Sequence, residues 1–218
     1  MPLALFDLDN TLLAGDSDYL WGLFLGERGI VDTETYVREN ERFYREYREG
    51  RLDIHEFLRF SLAPLAGHPP ARLRAWREAF VAEKIEPILL PAGRRLIERH
   101  RRRGDIPVII TATNAFVTRP IADRLGVREL IATEPEFRDG RYTGAVAGIP
   151  CFQEGKVQRL RQWLDERGLD LEASWFYSDS HNDLPLLERV THPVAVDPDD
   201  TLAAEARRRG WPVLSLRT

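Results

Sequence analysis

Short apolar runs recur through the second half of the chain, each separated from the next by an amphipathic stretch. Leu3–Phe6 is an unbroken apolar run near the start, and residues 106–111, 129–132, 174–178, 192–196 and 212–216 repeat the type. Residues 92–103, 115–125, 155–167, 183–190 and 200–209 instead carry apolar positions at helical spacing. That alternation predicts βαβ units, and so an α/β fold with a Rossmann-like parallel sheet and helices on both faces. Gly104, Gly126, Gly168 and Gly210 each close a predicted helix, where glycine relieves the left-handed stop.

Residues 16–87 break this rhythm. They read as successive helices, Tyr19–Arg28, Thr33–Glu49, Ile54–Ala63 and Ala71–Glu83, punctuated by Gly29, Gly50 and Gly67-His68-Pro69-Pro70. A segment this long between the first two strands is too large for a loop. It predicts an inserted α-helical cap subdomain over 16–87, with residues 1–15 and 88–218 forming the core. Because the insertion leaves and rejoins the core at the carboxyl edge of the sheet, it is expected to cover that edge as a lid. Its aromatics, at helical spacing, are expected mostly in the core of the cap. Residues 133–149 predict a β-hairpin with its turn at Arg138-Asp139-Gly140 and a structural role.

The sequence has 218 residues, 43% hydrophobic and 30% charged, enough for a full core and against disorder. No apolar run approaches the ~18–20 residues that span a bilayer, so no membrane partner is expected. The first strand begins almost at Met1, which argues against a signal peptide, and the single Cys151 cannot form an internal disulfide. Both favour a cytoplasmic setting, with Cys151 as a small buried thiol. The net charge of −4 gives no overall footprint for nucleic acid. The arginines of residues 94–103 and 207–209 close helices, where they complement the helix dipole.

The candidate chemistry sits where apolar strands end. Asp7 and Asp9 follow Leu3–Phe6, and residues two apart in a strand share a face, so both can address one ligand. Thr111 closes the run Val108–Ile110. Lys156 opens an amphipathic stretch after Gly155, and Asp179 and Asp183 follow Phe176-Tyr177-Ser178. Taken singly, each has a plain structural explanation: a turn carboxylate, a strand hydroxyl, a solvated lysine, a cap for a helix Leu184–Val190. The ordered set points instead to a site at the carboxyl edge of the sheet, where open α/β sheets gather ligands.

In these segments the chain resembles the haloacid dehalogenase superfamily, in particular its phosphoserine-phosphatase-like subclass. The stretch Phe6-Asp7-Leu8-Asp9-Asn10-Thr11-Leu12 resembles the first motif, Thr111 the second, Lys156 the third and Ser178-Asp179-Ser180-His181-Asn182-Asp183 the acidic fourth, with serines where relatives often have Gly-Asp-Gly. The resemblance implies a Mg²⁺-dependent phosphomonoesterase acting on a small metabolite through an aspartyl-phosphate. Asp7 would be the nucleophile, Asp9 the acid and base, and Lys156 the cation that holds the nucleophile. Thr111, Ala112 and Lys156 would bind phosphate. Asp7, Asp9, Asp179 and Asp183 are the expected metal-site carboxylates, with Asp183 either on the metal or orienting its water. By the same resemblance Asp16, nine positions after Asp7, would hold a substrate amine, and Arg59 or Asn182 would touch the rest of the substrate. The expected cap arginine for a substrate carboxylate falls on Ser61, with Arg59 nearest, so an amine-bearing phosphate such as histidinol phosphate fits at least as well as phosphoserine. A phosphotransferase or mutase on the same core, and a non-catalytic metabolite-binding module, are the alternatives. Asp9 argues against a pure binder, which has no use for it. The oligomeric expectation is monomer or homodimer.

Overall fold

A computed structural model describes residues 2–217. Its sheet holds six parallel strands in the order β3-β2-β1-β6-β7-β8. These are β1 (Leu3–Phe6), β2 (Ile106–Asn114), β3 (Glu129–Thr133), β6 (Trp175–Ser178), β7 (His192–Val196) and β8 (Val213–Leu214). The strand order reverses between β1 and β6, so the carboxyl ends of these two central strands flank the switch point of the sheet. Asp7 and Asp179 follow them directly.

β1 is buried on both faces, and its side chains alternate between two cores. Ala4 and Phe6 join a cluster with α5 (Pro91–Arg102) and α6 (Ala115–Arg124). Leu3 and Leu5 face α7 (Glu154–Asp165), α8 (Leu184–Leu187) and α9 (Asp200–Arg209). This is the double-sided burial expected of an all-parallel sheet, and it explains why β1 reads as an unbroken apolar run.

Between β1 and β2 stand α1 (Ser17–Glu27), α2 (Thr33–Arg48), α3 (Ile54–Ala66) and α4 (Pro70–Phe80). The outgoing and returning chains pair where they cross: Leu13 and Leu89 form an antiparallel bridge, Ala14 N donates to Ile88 O at 2.8 Å, and Leu90 N donates to Leu12 O at 3.1 Å. Trp21, Phe24, Leu58, Leu62 and Phe80 from these helices continue the core that Phe6 begins. The hairpin β4 (Pro135–Arg138) and β5 (Arg141–Val146) turns through Asp139 and Gly140, both at positive φ, as a tight two-residue connection requires.

Several boundaries differ from the sequence-based expectation. The fourth inserted helix ends at Phe80, and residues 81–88 continue as a wide π turn and a short 3-10 turn holding Pro87, which cannot donate to a regular helix. The stretch expected as one helix over 183–190 is a 3-10 turn, His181–Asp183, followed by the single-turn α8. Ser180 caps that turn by accepting from Asn182 N at 3.2 Å, while the Asp183 side chain caps nothing. β2 runs on to Asn114, with a register shift against β3 between Ile110 and Asn114. The last strand shrinks to two residues at the sheet edge.

Candidate active site

The turn after β1 fixes the first carboxylate by its main chain: Asp7 N donates to Tyr177 O at 2.9 Å, continuing the ladder to β6. The side chain is buried, and Lys156 Nζ lies 3.0 Å from its Oδ1. Lys156 reaches this position because α7 begins in a cramped place. A Cβ at Gly155 would stand 2.1 Å from Pro150 O, so only glycine allows the helix to start there. The same ammonium lies 2.6 Å from Asp183 Oδ1, and Asp183 Oδ2 accepts from Ser178 Oγ at 2.7 Å.

Asp9 is held from both sides. Ser17 N donates to its Oδ1 at 2.6 Å, and Thr113 Oγ1 donates to its Oδ2 at 2.8 Å. Thr113 was not among the expected site residues. Thr111 instead accepts from Thr113 N at 3.2 Å and, with Ala112 and Thr113, lines the cavity above Asp7. The period-two spacing of the two threonines at a strand end is the signal that could have found Thr113. Thr11 was missed as well. Its hydroxyl accepts from Asp179 N at 3.1 Å and lies 3.0 Å from Asp179 Oδ1 and 3.4 Å from Asp7 Oδ2, between the two carboxylates.

Too many carboxylates share one ammonium here, and the titration tendencies follow. Burial pushes Asp7 up to about 7; Lys156 opposes this, while the charges of Asp183 and Asp9 add to it. Asp9 also rises to about 7, first from burial and then from Asp16, against the bonds from Ser17 and Thr113. Asp179 is raised well above the usual carboxylate range by burial, then by Asp7 and Asp183. Burial alone would pull Lys156 down, but Asp183 and Asp7 outweigh it and keep it charged.

That surplus of negative charge suits a hard divalent cation. Asp7 and Asp179 offer oxygen donors of the kind Mg²⁺ takes, one or two carboxylates with the remaining positions left to water and substrate oxygens. Among the described residues no three His, Cys, Asp or Glu side chains converge as a ready-made metal group. Of the four expected carboxylates, Asp9 is held by Ser17 and Thr113 and Asp183 by Lys156 and Ser178, while Asp7 and Asp179 follow the two central strands with the Thr11 hydroxyl between them.

The inserted helices form the roof of this site. A cavity lined by Asp7, Asp9, Thr111 and Lys156 on one side is closed by Tyr19, Phe43, Tyr44, Tyr47 and Phe57 on the other. Tyr47, another residue missed in the sequence, lines the cavity; burial raises its pKa, and the charges of Asp179 and Asp7 push the same way. Asn182 lines the cavity, yet its amide is spent on tying the roof to the core, donating to Tyr47 O at 3.0 Å and accepting from Gln153 Nε2 at 3.0 Å. Asp16 also lines the cavity, and its Oδ1 caps α1 by accepting from Asp18 N at 3.0 Å and Tyr19 N at 2.9 Å. Arg59 does not reach the site: it is exposed on α3 and absent from the cavity wall, because the buried face of that helix is taken by Leu58, Leu62 and Leu65. Cys151 is buried and its thiol is pushed up to about 12, as befits an inert core residue. No helix among the described residues is long and apolar enough to cross a membrane.

Comparison with known proteins places this arrangement. A curated histidinol-phosphatase of Neisseria meningitidis serogroup C is 47% identical over 219 residues, covering 99% of each chain. A crystal structure of a Bordetella pertussis protein of unknown function superposes with a TM-score of 0.93 at 47% identity, covering 99% of this chain and 98% of that one. A phospho-aspartyl intermediate analogue of phosphoserine phosphatase shares the fold, with a TM-score of 0.71 at 20% identity over 99% of this chain and 93% of that one. The family described as haloacid dehalogenase-like hydrolase matches residues 4–188, a span that takes in Asp7, Asp9, Thr111, Lys156, Asp179 and Asp183, and the chain belongs to that family of hydrolases.

Proposed function

We propose that the protein is a Mg²⁺-dependent phosphomonoesterase that hydrolyses a small amine-bearing phosphate lacking a carboxylate, such as histidinol phosphate, through a phosphorylated Asp7. The observation that carries the proposal is the buried contact between Lys156 and Asp7 at the floor of a roofed cavity, with Asp9 fixed two residues away. The name of the Neisseria relative supports the choice of substrate.

Among the described residues Asp7 is the only cavity-lining carboxylate that combines a lysine contact with a position at the end of the central strand. Lys156 holds Oδ1 and orients the carboxylate for attack, which is the work of a positioned nucleophile. A carboxylate oxygen of Asp7 bonds to phosphorus as the ester P–O bond breaks, and the leaving alkoxide takes a proton from Asp9. Water then attacks the phosphorus of the acyl phosphate, giving its proton to Asp9; the P–O bond to Asp7 breaks, inorganic phosphate leaves, and both carboxyl groups return to their starting state. Ser17 N and Thr113 Oγ1 keep Asp9 in place for both proton transfers. Thr111 and the backbone of Ala112 line the position of the non-bridging oxygens, and Lys156 adds positive charge. Asp7 and Asp179 would hold Mg²⁺, which when bound neutralises carboxylate and phosphate charge so that the two anions can approach.

The inserted segment 16–87 acts as the cap, excluding water and supplying the substrate wall. Among the described residues Lys156 is the single Lys, Arg or His on that wall, and the phosphate end uses it. A substrate carboxylate would find no cation, whereas an ammonium would find Asp16. Release of inorganic phosphate from histidinol phosphate, phosphoserine and p-nitrophenyl phosphate, with and without Mg²⁺, tests the proposal. Histidinol phosphate should be the best of the three. Release from none of them would overturn the function, and a preference for phosphoserine would overturn the substrate.

A further inference from the structure

Three hollows meet at the inserted helices. The inner cavity over Asp7 is small, about 60 Å³. Two far roomier grooves adjoin it. One, of about 520 Å³, has a largely apolar lining that includes Ala14, Tyr19, Leu20 and Ile88. The other, of about 380 Å³, is polar and takes in Arg48, Asp179, His181 and Arg217. Asp16 and Tyr19 are shared by the inner cavity and the apolar groove, and Tyr47 by the inner cavity and the polar one. Tyr44, on α2, is the one described residue common to the walls of all three.

This partition is held in place on two sides. α1 and α2 approach so closely that a Cβ at Gly22 would stand 2.7 Å from Asn40 Nδ2. That amide donates to Tyr19 O at 2.9 Å and fixes α2 against the helix that carries Tyr19. The Tyr19 and Tyr44 rings pack with centroids 5.2 Å apart, tilted by 40°, a contact that favours both rings staying where they are. One turn beyond Tyr44, Asn182 donates to Tyr47 O at 3.0 Å and pins the end of α2 to the core. Tyr44 stands between these two ties, so its backbone has little freedom to draw the ring aside.

We infer that Tyr44 is a specificity-determining residue that limits the length of the substrate. Its ring closes the inner cavity against the groove at Leu20 and Ile88, so that compact phosphomonoesters fit and extended ones do not. Removing the ring would join the two spaces, and an apolar tail could then bury its surface in the groove. The limit is set by the volume of the ring and not by its hydroxyl. This inference rests on the phosphatase function proposed above, and it is independent of the charge carried by the substrate's far end.

The test compares kcat/KM for phenyl phosphate and biphenyl-4-yl phosphate, two phenol esters of which the second is longer by one ring, in wild type, Tyr44→Ala and Tyr44→Phe. Wild type should favour phenyl phosphate. Tyr44→Ala should raise the biphenyl-to-phenyl ratio by about tenfold or more, the scale on which the shape of a pocket discriminates between apolar groups. Tyr44→Phe keeps the ring and should keep the wild-type ratio. Tyr44→Leu, shorter than the ring, supplies the same comparison if the Ala variant does not fold. Equal losses on both esters, with the ratio unchanged, would show that Tyr44 only supports the cap and overturn the inference. So would a wild type that favours the biphenyl ester, or a Tyr44→Phe variant whose ratio moves as far as that of Tyr44→Ala. Release by wild type from neither ester nor p-nitrophenyl phosphate would instead overturn the phosphatase function beneath it.

Discussion

Lys156 Nζ lies closer to Asp183, at 2.6 Å, than to Asp7, at 3.0 Å. Asp183, itself anchored by Ser178 Oγ, is thus the carboxylate that seats the lysine, and the lysine in turn presents to Asp7. The serine that stands where relatives often have glycine does structural work here: Ser178 also accepts from Ser180 N at 3.1 Å and stiffens the loop after β6.

Removing the shared cation should therefore be expensive. Lys156→Met leaves Asp7 and Asp183 buried without it, and breaking a buried pair from one side typically costs about 3–5 kcal/mol. Urea unfolding of the metal-free protein measures this. A loss below about 1 kcal/mol, the scale of an exposed pair, would contradict the buried geometry.

Asp7→Asn should abolish phosphate release while leaving the protein folded. The amide is nearly isosteric but is a poor nucleophile and a weaker cation ligand, so attack and metal binding fail together. Turnover of p-nitrophenyl phosphate at the wild-type rate would remove Asp7 from its role.

Asp9→Asn should slow turnover by about 10²–10⁴, the usual scale of general acid–base catalysis. The first half-reaction should suffer less with p-nitrophenyl phosphate than with an alkyl phosphate, since nitrophenolate leaves with little protonation. Burst kinetics on the two substrates separates the steps, and equal slowing of the first would mean that Asp9 is not the acid.

Asp16 caps α1, and two substitutions separate its cap oxygen from its charge. Asp16→Ala removes the α1 cap and should cost about 0.5–2 kcal/mol, whereas Asp16→Asn keeps an oxygen for Asp18 N and Tyr19 N and should cost far less. Thermal unfolding of the two variants side by side checks this; equal destabilisation would show that the lost charge matters more than the cap.

His100 gives the fold a pH dependence with a definite sign. It is buried, with Nδ1 2.7 Å from Asp105 Oδ2 and Nε2 2.8 Å from the Tyr177 hydroxyl. Burial lowers its pKa, and the nearby Asp105 only partly offsets this. The unfolded chain then binds a proton more readily than the folded one. The contribution is fully present above the ordinary value of about 6.5 and is lost as pH falls from there through the lowered folded value. His100→Gln should flatten this part of the stability profile between about pH 7.5 and 5.5. Urea titrations of both proteins across that range give the difference directly, and parallel profiles would show that His100 does not contribute.

Local pattern was sufficient for the α/β class. Continuous apolar runs such as Leu3–Phe6 mean burial on both faces, amphipathic stretches between them mean covering helices, and both follow from the chain's immediate neighbours. Strand ends followed by Asp7, Asp179 and Thr111 likewise marked the edge where a site forms, because side-chain direction in a strand depends on position alone. What local pattern could not hold is partnership across the chain. Thr113 is paired with Asp9 across a sequence separation of 104, and Lys156 with Asp7 across one of 149. Only the packing of β2, α1 and α7 around the central strand decides that Asp9 answers to Thr113 and Ser17 and that Asp183 serves the lysine, and only the packing of α3 keeps Arg59 outside. The same is true of the roof. The spacing of Tyr19, Phe43, Tyr44 and Phe57 reads as helix core in the sequence, since a buried face and a cavity wall use the same residues at the same period. Which of them meets a neighbour and which meets a ligand depends on how the helices close over Asp7, and that is set by tertiary contacts alone.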